Sequence, residues 1–214
     1  MKKTILFDLD GTLIDSTEAI VEGFGISFET HKKSAPKAKE IIKLVGHPLE
    51  IMFEGLGVEK NMIKSHVDAY KKHYRTIATA KTTLLEGAKE SIELASKFAR
   101  IGVVTTKTRR YSIDILEHLG INHYFETIVG RECVQNPKPH PEPIMLALTR
   151  MGLQKDGTFF VGDTMMDLLA AREAGVEFVG VEGIYGDMKL FKKECNVLKN
   201  NILVAVSYIK TREI

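Results

Sequence analysis

The chain has 214 residues, 44% hydrophobic and 27% charged, with a formal net charge of +2. That is enough apolar material for a sizeable core, in one large domain or one domain carrying an insert. The mild charge, with no arginine-rich stripe, argues against a nucleic-acid partner, and no run approaches the roughly 18 apolar residues of a membrane span. Met1-Lys2-Lys3 begins like a signal peptide, but the four residues between Lys3 and Asp8 are too few for its apolar region. The two cysteines, Cys133 and Cys195, lack CxxC spacing, so we expect reduced thiols in a soluble, cytoplasmic protein that engages no membrane. The seven histidines fall in no HExxH or paired-ligand pattern and read as structural or surface groups.

The first strand is the apolar run Ile5-Leu6-Phe7, which closes in Asp8-Leu9-Asp10-Gly11-Thr12. Residues two apart on a strand share a face, so Asp8 and Asp10 project into one pocket at the C-terminal edge, where open α/β sheets hold ligands. Two carboxylates so close repel each other, which is tolerable only with a cation or a shared proton. Residues 16–79 then carry an almost unbroken helical pattern. Ser16 or Thr17 caps its first helix, Pro36 opens the next, Gly46-His47-Pro48 interrupts before 49–56, and 59–79 form a long last helix. Lys32, Lys33, Lys37, Lys39 and Lys43 make a basic stretch, either a solvated helix face or an attractor for anionic substrates. His47 sits where it can touch a leaving group, depending on how the insert is placed.

After Thr82-Thr83-Leu84-Leu85 the pattern alternates. Helices at 87–98, 109–119, 141–151 and 167–174 are interleaved with strands at 100–105, 127–129, 158–161 and 178–181; 196–198 and 202–210 supply an edge strand and a closing helix. Such alternation implies an α/β fold, a doubly wound parallel sheet covered by helices. We place the core in residues 1–15 and 84–214, with an inserted all-helical cap domain, 16–83, over the strand ends.

Three further segments end strands in polar groups. Ile101-Gly102-Val103-Val104-Thr105-Thr106-Lys107 puts hydroxyls and free amides before a helix, an arrangement that attracts phosphate oxygens; Thr106 also serves as a simple helix cap. Asn136-Pro137-Lys138-Pro139-His140-Pro141 sets a lysine in a stiff loop that either aims its ammonium or leaves it solvated in a turn. Phe159-Phe160-Val161-Gly162-Asp163-Thr164-Met165-Met166-Asp167 ends a strand in Gly-Asp, with Asp163 and Asp167 one helical turn apart. Asp163 or Thr164 as an N-cap, and Asp167 as a first-turn acid, is the alternative reading of that segment.

Together, Asp8-Leu9-Asp10-Gly11-Thr12, Thr105, Lys138 and Gly162-Asp163-Thr164-Met165-Met166-Asp167 resemble, in order, the four motifs of the haloacid dehalogenase-like hydrolase superfamily, in its phosphoglycolate-phosphatase-like branch. The resemblance covers nearly the whole chain. It implies a Rossmann-like core with a mobile helical cap, and a magnesium-dependent phosphohydrolase acting on a small phosphorylated metabolite. By the same resemblance Asp8 is the nucleophile that forms an aspartyl-phosphate, and Asp10 is the acid and base. Thr105 and Thr106 hold the phosphoryl oxygens, Lys138 neutralises charge, and Asp8, Asp163 and the Asp10 carbonyl hold Mg²⁺. Asp167 supports that shell. Thr106 stands where the branch has asparagine, before Lys107. A sugar-phosphate mutase is the nearest alternative, disfavoured because 43–49 lack its arginine; an inorganic pyrophosphatase fits the same scaffold. A dehalogenase lacks the second aspartate, and a non-enzymatic binding protein leaves the four segments without purpose. Monomer and homodimer both remain open.

Overall fold

The computed structural model describes residues 2–213. Its main sheet has six strands: β1 (Lys3–Phe7), β4 (Ala99–Val104), β5 (Thr127–Val129), β6 (Thr158–Gly162), β7 (Glu177–Val181) and β8 (Leu198–Lys199). All pair in parallel in the order β5-β4-β1-β6-β7-β8. Counted along the chain these are strands 3-2-1-4-5-6, the doubly wound order whose ligand crevice lies where the winding reverses. That switch point falls between β1 and β6, so Asp8 and Asp163 follow strands that flank it.

Strand alternation divides the core in two. Ile5, Phe7, Phe159 and Val161 face one side, packed with α5 (Ala88–Phe98), α6 (Arg109–His118) and α10 (Ile202–Thr211). Leu6 and Phe160 face the other, against α7 (Glu142–Met151) and α8 (Met165–Ala174). The closing edge strand and helix are both present; the short helix α9 (Met188–Glu194), bonded at its start to the Asp187 side chain, breaks a stretch to which the sequence pattern assigns nothing. Among the described residues no helix is long and apolar enough to cross a membrane.

The insert is α1 (Thr17–Thr30), α2 (Ala38–Ile42), α3 (Leu49–Gly55) and α4 (Lys60–Ile77). It joins the core through a two-stranded antiparallel ribbon, β2 (Ile14–Asp15) with β3 (Thr83–Leu84), too short to be visible as a sequence pattern. Helices α1 and α4 cross closely at Gly23, where a Cβ would lie 2.7 Å from the Tyr70 ring. Aromatic packing fills the rest: the Phe24 ring centroid is 4.5 Å from Phe53 and 5.0 Å from Tyr70.

His66 is sealed inside this helical layer, stacked on His31 with centroids 3.8 Å apart. The Ser27 hydroxyl donates to the His66 carbonyl at 2.9 Å and lies 3.0 Å from Nδ1, so the hydroxyl oxygen accepts from an Nδ1–H, while Nε2 has no partner. Burial, then His31 and Lys33, pull its pKa down from 6.5 to about 4. Between those values the unfolded chain binds the extra proton, so stability is intact above 6.5 and is lost as pH falls toward 4. Denaturant unfolding at pH 7 and pH 4 should show the parent protein losing about 3 kcal/mol more than His66→Gln; equal losses would show that His66 is not held neutral.

Candidate active site

Asp8 leaves the end of β1 and is almost fully buried, as are Asp163, Asp167 and Lys138. Residues remote in sequence thus meet at the switch point. The Lys138 ammonium donates to Asp8 Oδ1 at 2.7 Å and to Asp167 Oδ1 at 2.5 Å. Its loop is folded by Glu142, whose carboxylate accepts the backbone N–H groups of Gln135 and Asn136 at 2.9 Å each. His140 has a structural task there, accepting from the Glu142 N–H at 3.1 Å.

Asp167 has both oxygens committed. Oδ2 accepts from the Thr164 N–H at 3.0 Å and its hydroxyl at 2.6 Å, closing a capping box at the start of α8, while Oδ1 faces Lys138. The capping reading therefore holds for Thr164 and Asp167 but not for Asp163. Asp163 Oδ1 accepts from the Thr12 hydroxyl at 2.9 Å, and Oδ2 is buried without any partner. Gly11, at φ +82°, and Gly183 both lie against this carboxylate; a Cβ at either position would overlap it. Glycine there keeps room for the acid.

One carboxylate oxygen each from Asp8, Asp163 and Asp167 lies within 4.8 Å of the others. Three carboxylates against one ammonium leave two negative charges if all are ionised. Burial, then the Asp167 carboxylate, push Asp8 up to about 7 against the pull of Lys138. Asp163 is raised well above the carboxylate range by burial, then by Asp8 and Asp167. Burial alone would lower Lys138, but Asp167 and Asp8 outweigh it and hold the ammonium above its ordinary value. A buried, all-oxygen donor set with excess negative charge and one unpartnered oxygen, Asp163 Oδ2, fits a hard divalent cation.

Asp10 stands apart from this triad. Its Oδ1 accepts from the Ser16 hydroxyl and its Oδ2 lies 3.2 Å from the Lys107 ammonium. Ser16 occupies the N-cap position of α1 yet makes no capping bond with its side chain; Asp15 instead accepts the Thr17 N–H at 2.9 Å. Thr105 Oγ1 accepts the Lys107 N–H at 3.1 Å, which shapes the turn after β4, and Thr106, Lys107 and Thr108 line a cavity of about 70 Å³ shared with Asp8 and Asp10. Drug-sized sites reach roughly 300–1,000 Å³, so with the insert seated this space admits only a small ligand. His47, Val45, Leu49 and Met52 form its roof, and Tyr70, Tyr74 and Tyr111 one wall. Of the five basic-stretch lysines, none lines it.

The structure brings the predicted site residues Asp8, Asp163, Asp167 and Lys138 together and adds Thr12, which the sequence shows only as part of the first motif, Ser16, which it shows only as a cap, and Tyr74 and Arg131, to which it assigns nothing. Arg131 reaches the cavity from the turn after β5, and its Nε is buried without a partner. A helical-face analysis would have grouped Tyr70 with Tyr74, four residues apart on α4; nothing in the sequence signals Arg131.

Residues 5–181 match the family model described as haloacid dehalogenase-like hydrolase. Pyrophosphatase PpaX of Halalkalibacterium halodurans is 35% identical over 175 residues, 81% of this chain and 80% of that protein. A phosphoglycolate phosphatase of Photorhabdus laumondii is 31% identical, covering 84% of this chain and 80% of its own. A solved haloacid dehalogenase-like hydrolase from Streptococcus pneumoniae superposes with a TM-score of 0.86 at 28% identity, covering 97% of this chain and 98% of its own. With six parallel strands in doubly wound order, a helical insert after the first, and this match across most of its length, the chain is a member of the haloacid dehalogenase-like hydrolase family, in company with phosphatases.

Proposed function

We propose that this phosphatase cleaves a small organic phosphomonoester through a phosphorylated Asp8, with residues 16–83 acting as a cap over a core of 1–15 and 84–214. The observation that carries the reading is the buried Lys138 ammonium shared by Asp8 and Asp167, beside the unpartnered Asp163 oxygen. Asp8 and Asp163, with the Asp10 carbonyl, would hold one Mg²⁺, while Asp167 orients Lys138. The ion would supply positive charge to the transferring phosphoryl group.

Asp8 attacks phosphorus, and Lys138 lowers the repulsion between two anions. The Thr105 hydroxyl, with the N–H and hydroxyl of Thr106, holds the phosphoryl oxygens. Asp10 gives a proton to the departing oxygen and then takes one from the water that frees Asp8. Monoester hydrolysis calls for up to ~10²¹-fold acceleration, of which acid–base help supplies roughly 10²–10⁴. The charge arrangement and positioning must provide most of the rest, in a space from which the cap excludes bulk water.

The leaving group sits among Ile20, Val45, Leu49 and Met52, with Arg131 and Lys71 also at the cavity wall. Neither cation has a carboxylate partner among the described residues. An apolar wall with a buried, unpaired guanidinium N–H suits a short carbon chain ending in a second anion, as in phosphoglycolate. The naming of several relatives as pyrophosphatases favours one other reading, in which the second anion is itself a phosphate.

Steady-state phosphate release should require added Mg²⁺ and stop in EDTA, and Asp8→Asn should reduce it at least about 10³-fold; a rate indifferent to EDTA would remove the metal from the account. Arg131→Ala should raise KM for phosphoglycolate about tenfold or more, with p-nitrophenyl phosphate little affected. Equal KM changes for both esters would show that Arg131 does not read a second anion.

A further inference from the structure

Lys107 touches both halves of the molecule. Its ammonium lies 3.2 Å from Asp10 Oδ2 in the core and donates to the Tyr74 hydroxyl of α4 at 2.7 Å. The Lys107 side chain is 8% exposed and that of Asp10 12%, so water competes little for either contact. The ammonium also sits 4.7 Å from the Tyr74 ring centroid, a cation–π distance. Tyr74 is itself 1% exposed. It is clamped by Tyr70 on its own helix, rings stacked at 5.2 Å, and by Tyr111 of α6 at 5.8 Å.

These contacts leave the Asp10 carboxyl fixed from two sides. Ser16, at the point where the chain enters the insert, donates to one oxygen, and Lys107 holds the other. A lysine side chain has four flexible carbons and keeps a direction only when its ammonium has more than one partner. Around Lys107 the partner besides Asp10 is Tyr74, and Tyr74 arrives with the cap. The geometry points to Tyr74 as a positioning residue: its phenol oxygen anchors Lys107, whose ammonium aims the Asp10 carboxyl at the leaving oxygen, so that Asp10 is in register only while α4 is seated on the core.

This inference rests on the acid–base role given to Asp10 above, and it adds a reason for that role to depend on the cap. Substrate bound under an unseated cap would meet an Asp10 whose Lys107 partner is no longer fixed by Tyr74. The phosphoryl group would then be handled without a well-aimed proton donor. Proton transfer is sensitive to small displacements, so loss of one anchor costs rate at that step and not binding.

The test compares two esters. An alkyl phosphate such as phosphoglycolate needs a proton on its leaving oxygen, whereas p-nitrophenyl phosphate departs as a stable phenolate without one. Tyr74→Phe keeps the ring between Tyr70 and Tyr111 and removes the hydroxyl. It should lower kcat/KM for the alkyl ester at least about tenfold through kcat with little change in KM. For p-nitrophenyl phosphate, kcat/KM should stay within about threefold. Lys107→Met should lower kcat/KM for the alkyl ester at least as far, and on that ester the double variant should lose no more than Lys107→Met alone, as expected of residues that act in series. Equal losses of kcat/KM on both esters in Tyr74→Phe, or additive losses in the double variant, would overturn the assignment while leaving the phosphatase reading intact. A parent protein inactive on both esters would overturn the phosphatase reading and this one with it.

Discussion

Charge in a buried space sets the terms for the rest of this molecule. Asp8, Asp163 and Asp167 bring oxygens within 4.8 Å of one another, and one ammonium, Lys138, faces two of them. Buried carboxylates at that spacing are costly unless paired or protonated. The elevation of Asp8 and Asp163 toward the protonated form expresses that cost in the protein alone. A divalent cation among these oxygens would relieve that repulsion, and the glycines at positions 11 and 183, pressed against Asp163, leave its carboxylate the space it occupies.

The sheet explains why these groups meet. Its order places β1 between β4 and β6, so the turn after each strand opens on the same crevice. Hydrophobic alternation on β1 and β6 packs helices on both faces and fixes strand register, which in turn fixes the height of Asp8 and Asp163. Above the crevice the helical insert is attached by only two short strands, yet it contributes Tyr74, Val45 and His47 to the cavity. Core chemistry and cap contacts therefore meet at Lys107, which is bonded to both.

Much of this was legible in the sequence, for physical reasons that differ by element. Parallel strands buried on both faces read as continuous apolar runs, and three of them, β1, β4 and β6, ran into Asp, Thr or Gly-Asp, so these strands and the polar groups behind them stood out together. The helical insert showed through its 3.6-residue periodicity. The two-residue strands β2 and β3 did not, because pairs so short carry no pattern. Ser16 read as a cap because serine before a helix usually is one; only the fold shows its hydroxyl turned to Asp10. Tyr74 and Arg131 were invisible, and Thr12 stood inside the first motif with no role assigned to it. Tyr74 and Thr12 have ordinary local settings and gain their contacts from partners far along the chain, 33 positions away for Tyr74 and Lys107 and 151 for Thr12 and Asp163.

The central claim is that Asp8 becomes the phosphoryl carrier in this crevice. Rapid acid quench of the enzyme during turnover of p-nitrophenyl phosphate, followed by peptide mass spectrometry, addresses it directly. The account predicts a phosphoryl increment on the peptide containing Asp8, localised to that residue and absent in enzyme quenched before substrate is added. Turnover with no adduct at Asp8 under conditions that preserve acyl phosphates, or an adduct on another residue, would contradict it.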